Sequence, residues 1–255
     1  MESESLDVVV LPIGVVKEGV RYRKVVIDEM TGRDEELLAD PKFKQQPGRA
    51  ITVMLQRIIQ EIPGVFEAKK NPMTLAPKDI VRKMYAADRD AILIGLRRLS
   101  FGNTMQVAWA CGKCAAHNAD DVDLSELKRV DWDEDAECSI DFTLPRGIDF
   151  EGKRLKNGSM RFPTGVDSEA VAKRAKTDPG GATTALLATV IEQVDGEHID
   201  ATMVQRMATR DRLHLGEVFQ QSLPGVRMRA DLYCPECGNL SEGQPLDMGD
   251  FFSLT

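Results

Sequence analysis

The chain has 255 residues, a formal charge of −8 and 42% apolar residues. A chain of this length can bury a core without staples, and its acidic balance speaks against a nucleic-acid backbone as main partner, because phosphate binding needs a cationic face. No apolar run is long enough for a membrane helix, and the opening MESESLDVVVLPIG lacks the basic-then-apolar order of a secretory leader. The expected compartment is a reducing cytoplasm, where the five cysteines are metal ligands or buried thiols rather than disulfides.

In chain order, residues 8–11 read as a strand ending in LPIG, and residues 20–27 as its hairpin partner. TGRDEE at Thr31 is a helix start: a Thr cap with acids behind it suits the positive end of the helix dipole, which predicts a helix over 34–39. Ile51, Met54, Leu55, Ile58, Ile59 and Ile62 lie at helical spacing and predict a helix over 50–62. The Pro-rich FEAKKNPMTLAP stretch interrupts the pattern at about 65–76. A long helix is expected over 78–99, closed by Gly102, and the strand TMQVAWA then runs into Cys111 and Cys114. The acidic DWDEDAE stretch reads as a solvated linker, since calcium binding would need a glycine turn that it lacks. Beyond it come strands over 138–144 and 154–162 and helices over 167–176, 179–194 and 201–222. RMRADLY then leads into Cys234 and Cys237.

The two passages match block by block. Leu11, Pro12, Gly14, Glu18, Gly19 and Arg21 return as Leu144, Pro145, Gly147, Glu151, Gly152 and Arg154, and TGRDEE returns as TGVDSE. AITVMLQRIIQEIPG from Ala50 aligns with ATTALLATVIEQVDG from Ala182, and Asp88-Arg89 aligns with Asp211-Arg212. At the last offset Cys111 and Cys114 fall on Cys234 and Cys237. A tandem duplication is the reading: two α+β halves, residues 1–133 and 134–255, related by a rough twofold. The insertion at about 65–76 has no counterpart. The long helices of the halves are expected to share one continuous core.

Each half offers two thiols at CxxC spacing, and a zinc ion takes four soft ligands in a tetrahedron. One structural zinc held by Cys111, Cys114, Cys234 and Cys237 between the halves is the simplest solution. A local site of Cys111, Cys114 and His117 is an alternative, and redox or buried thiols are another. A four-thiolate site has no open coordination position, so it does not catalyse. Cys138 reads as a core residue. The repeated Asp-Arg pairs read as structural ion pairs with another element, with a partner-binding edge as the alternative. Hydrolase, nucleotide-binding and metalloprotease motifs are absent from the sequence.

The repeated LPxG strand, the TGxDxE helix start, the A-D-R-D helix and the terminal CxxC resemble the T-even-like baseplate hub family. Its members are hub subunits or hub assembly chaperones of contractile phage tails and related injection systems. The resemblance runs over nearly the whole chain as a pattern of spaced residues, and the metal-ligand role of the cysteines rests on their spacing alone. It implies a non-enzymatic structural or assembly protein whose partners are other tail hub or tube proteins, with no membrane and no small-molecule substrate. It also implies a location in the host cytoplasm during assembly and in the tail baseplate afterwards. A zinc-ribbon module of transcription or nucleic-acid machinery is the second reading, though no basic, aromatic-bearing face supports it. A hydrolase completed by partners is the third, without a nucleophile–base pair. Residues 6–11 or the C-terminal DMGDFFSLT are candidate docking segments.

Overall fold

The computed structural model describes residues 7–68, 74–133 and 136–246. Leu6, the stretch around Met73, the middle of the acidic stretch DWDEDAE and the segment DMGDFFSLT lie outside the described residues.

The chain opens with a hairpin of β1 (Val8–Lys17) and β2 (Val20–Ile27). Its two turn residues, Glu18 and Gly19, have φ of 52° and 78°. Positive φ at both central positions matches the twist of the flanking strands. The helices α1 (Gly32–Ala39), α2 (Pro41–Lys44) and α3 (Pro47–Ile58) follow, then β3 (Ile59–Ile62) and β4 (Phe66–Glu67). These strands complete a four-stranded sheet in the order β1-β2-β3-β4. Next come α4 (Lys78–Lys83), α5 (Ala86–Phe101), the hairpin of β5 (Thr104–Ala110) with β6 (His117–Asp123), and the short β7 (Arg129–Val130).

Past the linker, β8 (Ser139–Phe150) and β9 (Lys153–Arg161) form a second hairpin, turned by Glu151 and Gly152 at φ 47° and 78°. Then come α6 (Gly165–Thr177), α7 (Pro179–Val190), β10 (Ile191–Val194), α8 (Ala201–Arg206) and α9 (Thr209–Ser222). β10 completes the sheet β10-β9-β8. β11 (Gly225–Val226) pairs back to β7, and β12 (Arg229–Tyr233) pairs with β13 (Leu240–Pro245). The fold is mixed, with small sheets throughout. Among the described residues no helix is long and apolar enough to cross a membrane.

The TGxDxE stretches start helices as expected. Asp34 Oδ2 accepts the Thr31 backbone N–H at 2.9 Å and the Thr31 hydroxyl at 2.7 Å. Asp167 Oδ2 does the same for Thr164 at 2.7 and 2.9 Å. Burial pushes both carboxyls up. Hydrogen bonds outweigh it and hold each below the usual carboxylate range, from Thr31 and Arg57 for Asp34 and from Arg161 and Thr164 for Asp167.

Several expectations need correction. The first strand does not end at LPIG but bulges there and runs on to Lys17, and the first strand past the linker likewise runs on to Phe150. The helix expected over 50–62 stops at Ile58, because Ile59–Ile62 pairs with both β2 and β4. Similarly, α7 gives way at Ile191 to β10, which pairs with β9. In both places isoleucines and valines serve a buried strand as well as a helix. The helix expected over 78–99 is broken at Met84 and Tyr85. There the backbone turns aside to bond the segment before α6: Ala86 N–H to Pro163 O at 2.8 Å and Gly165 N–H to Met84 O at 3.0 Å. The helix expected over 201–222 breaks at Met207 and Ala208, both extended.

The core is also not continuous. One cluster packs β1, β2, β3, α3 and α5 around Leu11, Leu55, Ile59 and Leu96. A second packs β8, β9, α7 and α9 around Leu144, Met160, Val190 and Leu215, and it takes in Ile13 from β1. A third joins the two cysteine ribbons, with Ile94 of α5 beneath them. An amphipathic helix with two buried faces divides its residues between clusters. α5 sends Ile92, Leu93 and Leu96 into the first and Ile94 into the third.

Candidate metal centre

Each CxxC pair sits on a tight turn joining two antiparallel strands. In the first, the Cys111 N–H bonds Ala116 O, and the Ala115 N–H bonds Cys111 O, both at 2.9 Å. In the second, the Cys234 N–H bonds Asn239 O, and the Gly238 N–H bonds Cys234 O, again at 2.9 Å. Ala115 has φ 58° and Gly238 has φ 67°, the left-handed conformation that turns the chain away from the second sulfur of each pair. The return strands β6 and β13 were not expected from sequence. Each has a single buried position, Val122 and Ser241, which leaves too little apolar alternation to read as a strand.

The third core cluster brings the ribbons together. Met105, Val107 and Trp109 of β5 meet Leu232 of β12 and Leu246. The Trp109 indole N–H donates to Asp120 Oδ2 at 2.5 Å across the β5–β6 hairpin. At the tips, the sulfurs of Cys111, Cys114, Cys234 and Cys237 all lie within 4.8 Å of one another. Cys111 Sγ is 3.8 Å from Cys237 Sγ, and Cys114 Sγ is 3.6 Å from Cys234 Sγ. A tetrahedron with metal–sulfur bonds of about 2.3 Å has edges of about 3.8 Å. The four cysteines can hold a metal ion, and the donor set fits zinc.

The electrostatics favour a cation. The backbone N–H groups of Cys114 and Lys113 point at the Cys111 sulfur and bring its thiol down to about 6. At Cys114 the Ala116 N–H also lowers the thiol, but the neighbouring thiols of Cys237, Cys234 and Cys111 outweigh it and push it up to about 12. One sulfur ionises readily while its neighbour resists a second negative charge at contact distance. A dication bound among four thiolates removes that conflict. The Asn118 side-chain amide, 3.8 Å from Cys234 Sγ, is a further sulfur contact that spacing alone does not reveal.

His117 is exposed on β6 and lies outside the four-sulfur group. Cys138 sits just before β8, half-buried and packed on the second cluster, with Arg21 Nη2 at 3.8 Å from its sulfur. Asp88 and Asp211 do not take up the expected ion pairs. Asp88 accepts the backbone N–H groups of Ile13 and Gly14 at 2.7 and 2.9 Å, and Asp211 those of Arg146 and Gly147 at 2.7 and 3.1 Å. Arg89 is buried and donates to Val81 O and Thr52 Oγ1. The repetition of the Asp-Arg pair was the available signal. Its meaning depended on the β-bulges, which the sequence does not announce.

No curated protein and no solved structure compared with the chain matches it. The family model described as T4 bacteriophage base plate protein matches residues 11–253. That match spans both hairpins, both helical segments and both cysteine ribbons. The chain therefore belongs to the T4 bacteriophage base plate protein family.

Proposed function

We propose that this chain is a non-catalytic structural or assembly protein at the hub of a contractile-tail baseplate. In this reading one zinc, held by Cys111, Cys114, Cys234 and Cys237, fastens its two related halves together. The observation that carries the baseplate role is the family match over residues 11–253. The partners are other baseplate or tail proteins, met in the host cytoplasm during assembly and kept in the tail if the chain is a subunit.

The duplication reading, residues 1–133 and 134–255, has several supports. Both parts run hairpin, helices, short strand, broken helix and cysteine ribbon. Gly14 and Gly147 both have positive φ at a bulge clamped by an aspartate from a later helix. A closed thiolate centre drawing ligands from both parts gives each a reason to need the other. The transcription-type zinc ribbon is the weaker reading, because the family points to a baseplate and the chain carries a charge of −8.

Deletion of the gene tests the role. The expected result is particles without a baseplate or tail, and normal contractile particles from the deletion strain would refute it. Mass spectrometry of purified particles separates the two forms of the proposal. A subunit stays in the finished tail, and an assembly chaperone is found only in assembling cells.

A further inference from the structure

A groove of about 660 Å³ runs along the contact between the start of α3 and α6, the first helix past the linker. Arg49, Arg82, Lys173 and Lys176 line it, and among the described residues Glu169 is its only carboxylate. Glu169 is already engaged: its oxygens accept Thr52 Oγ1 at 2.5 Å and Arg82 Nε at 3.1 Å. Arg49 reaches only the Gln46 side chain, and Lys176 only the Gln45 carbonyl at 3.1 Å. Lys173 is exposed. Among the described residues three cations therefore stand without a carboxylate partner, in a chain whose formal charge is −8.

The remaining surface also favours an anionic occupant. α3 has Pro47 in its first turn, and its N-cap Gln46 makes no side-chain cap hydrogen bond. The positive end of a 12-residue helix thus opens on the groove. Val166, 40% exposed, gives the groove an apolar patch. No aromatic side chain lines it, so it lacks the stacking platform that single-stranded nucleic acid uses.

We infer that this groove is the docking site for an acidic segment of a partner protein, with carboxylates on Arg49, Lys173 and Lys176 and an apolar side chain against Val166. The partner's identity as a tail protein rests on the baseplate reading above. Because α3 and α6 come from opposite sides of the linker, the segment would grip both parts of the chain at once.

A photo-crosslinker tests this. Val166→p-benzoylphenylalanine, expressed in cells assembling particles, should give an adduct that maps to an acidic segment of another tail protein. Arg49→Glu combined with Lys173→Glu should reduce that adduct at least tenfold while leaving the thermal midpoint of the purified chain unchanged. An adduct with nucleic acid, with a second copy or with the chain's own termini would overturn the inference. So would the absence of an adduct, or one that survives charge reversal. An acidic segment of a protein outside the tail would instead support the groove and count against the baseplate role.

Discussion

Asp88, on α5, clamps the bulge at Gly14: its Oδ2 accepts the Gly14 N–H at 2.9 Å, across 74 residues of sequence. Its other oxygen holds the Ile13 N–H at 2.7 Å, and the carboxylate is fully buried. Removing it strands two buried donors, each costing about 1–3 kcal/mol. Asp88→Ala should therefore destabilise the chain by roughly 2–6 kcal/mol in urea unfolding. Asp211→Ala should cost less, because the N–H groups of Arg146 and Gly147 are only partly buried. Equal and negligible losses would show that the clamps do not bear on stability.

The same clamp has a pH signature. Burial raises the Asp88 carboxyl to about 6, against the lowering effect of the two N–H groups. The folded form thus binds its proton more tightly than the unfolded form. The resulting stability is present below the ordinary value of 3.8 and is lost as pH rises through about 6. The stability difference between the wild type and Asp88→Asn should shift in favour of the wild type as pH falls from 7 to 4.

Asp34 and Asp167 have the opposite sign. Both are held below the ordinary value of 3.8, so their contribution is present above it and lost as pH falls through the folded-state value. Asp167→Asn should lower stability at neutral pH and flatten the loss seen below pH 4. Acid titrations followed by circular dichroism would read both effects. An unchanged acid limb in the variant would refute the assignment.

The metal centre predicts one zinc per chain by elemental analysis, bound by all four sulfurs. Cys237→Ser should lose the metal and raise hydrogen exchange in β5–β6 as well as in β12–β13, because the ribbons share one core cluster. Two zinc ions per chain, or none, would overturn the shared site. Loosening confined to β12–β13 would do the same.

The two knuckles should respond oppositely to one methyl group. Gly238 at φ 67° tolerates its conformation freely, whereas Ala115 at φ 58° is strained there. A left-handed non-glycine residue costs about 1–2 kcal/mol. Ala115→Gly should raise the thermal midpoint and Gly238→Ala should lower it, both with zinc present. Shifts of the same sign would show that strain is not what separates them.

Much of the site was legible because its determinants are local. A CxxC spacing prescribes a turn with two sulfurs on one side, and a Thr with an Asp three residues on prescribes a helix start. Neither needs a distant partner to be recognised. The family relation was legible for a similar reason, since the spaced glycines and acids of LPxG, TGxDxE and A-D-R-D form a pattern that needs no three-dimensional information.

What only the tertiary structure decided depends on hydrogen-bond partners far away in sequence. Ile59–Ile62 could continue a helix, but strands β2 and β4 on either side satisfy its backbone groups better. Met84 and Tyr85 could continue one too, until the segment at Pro163–Gly165 takes the N–H of Ala86 and the C=O of Met84. Asp88 looked like half of an ion pair because its true partners are main-chain amides, which every residue but proline carries and no residue type advertises. The four sulfurs were identifiable one pair at a time. Their meeting within 4.8 Å required the packing of Trp109, Leu232 and Leu246 beneath them.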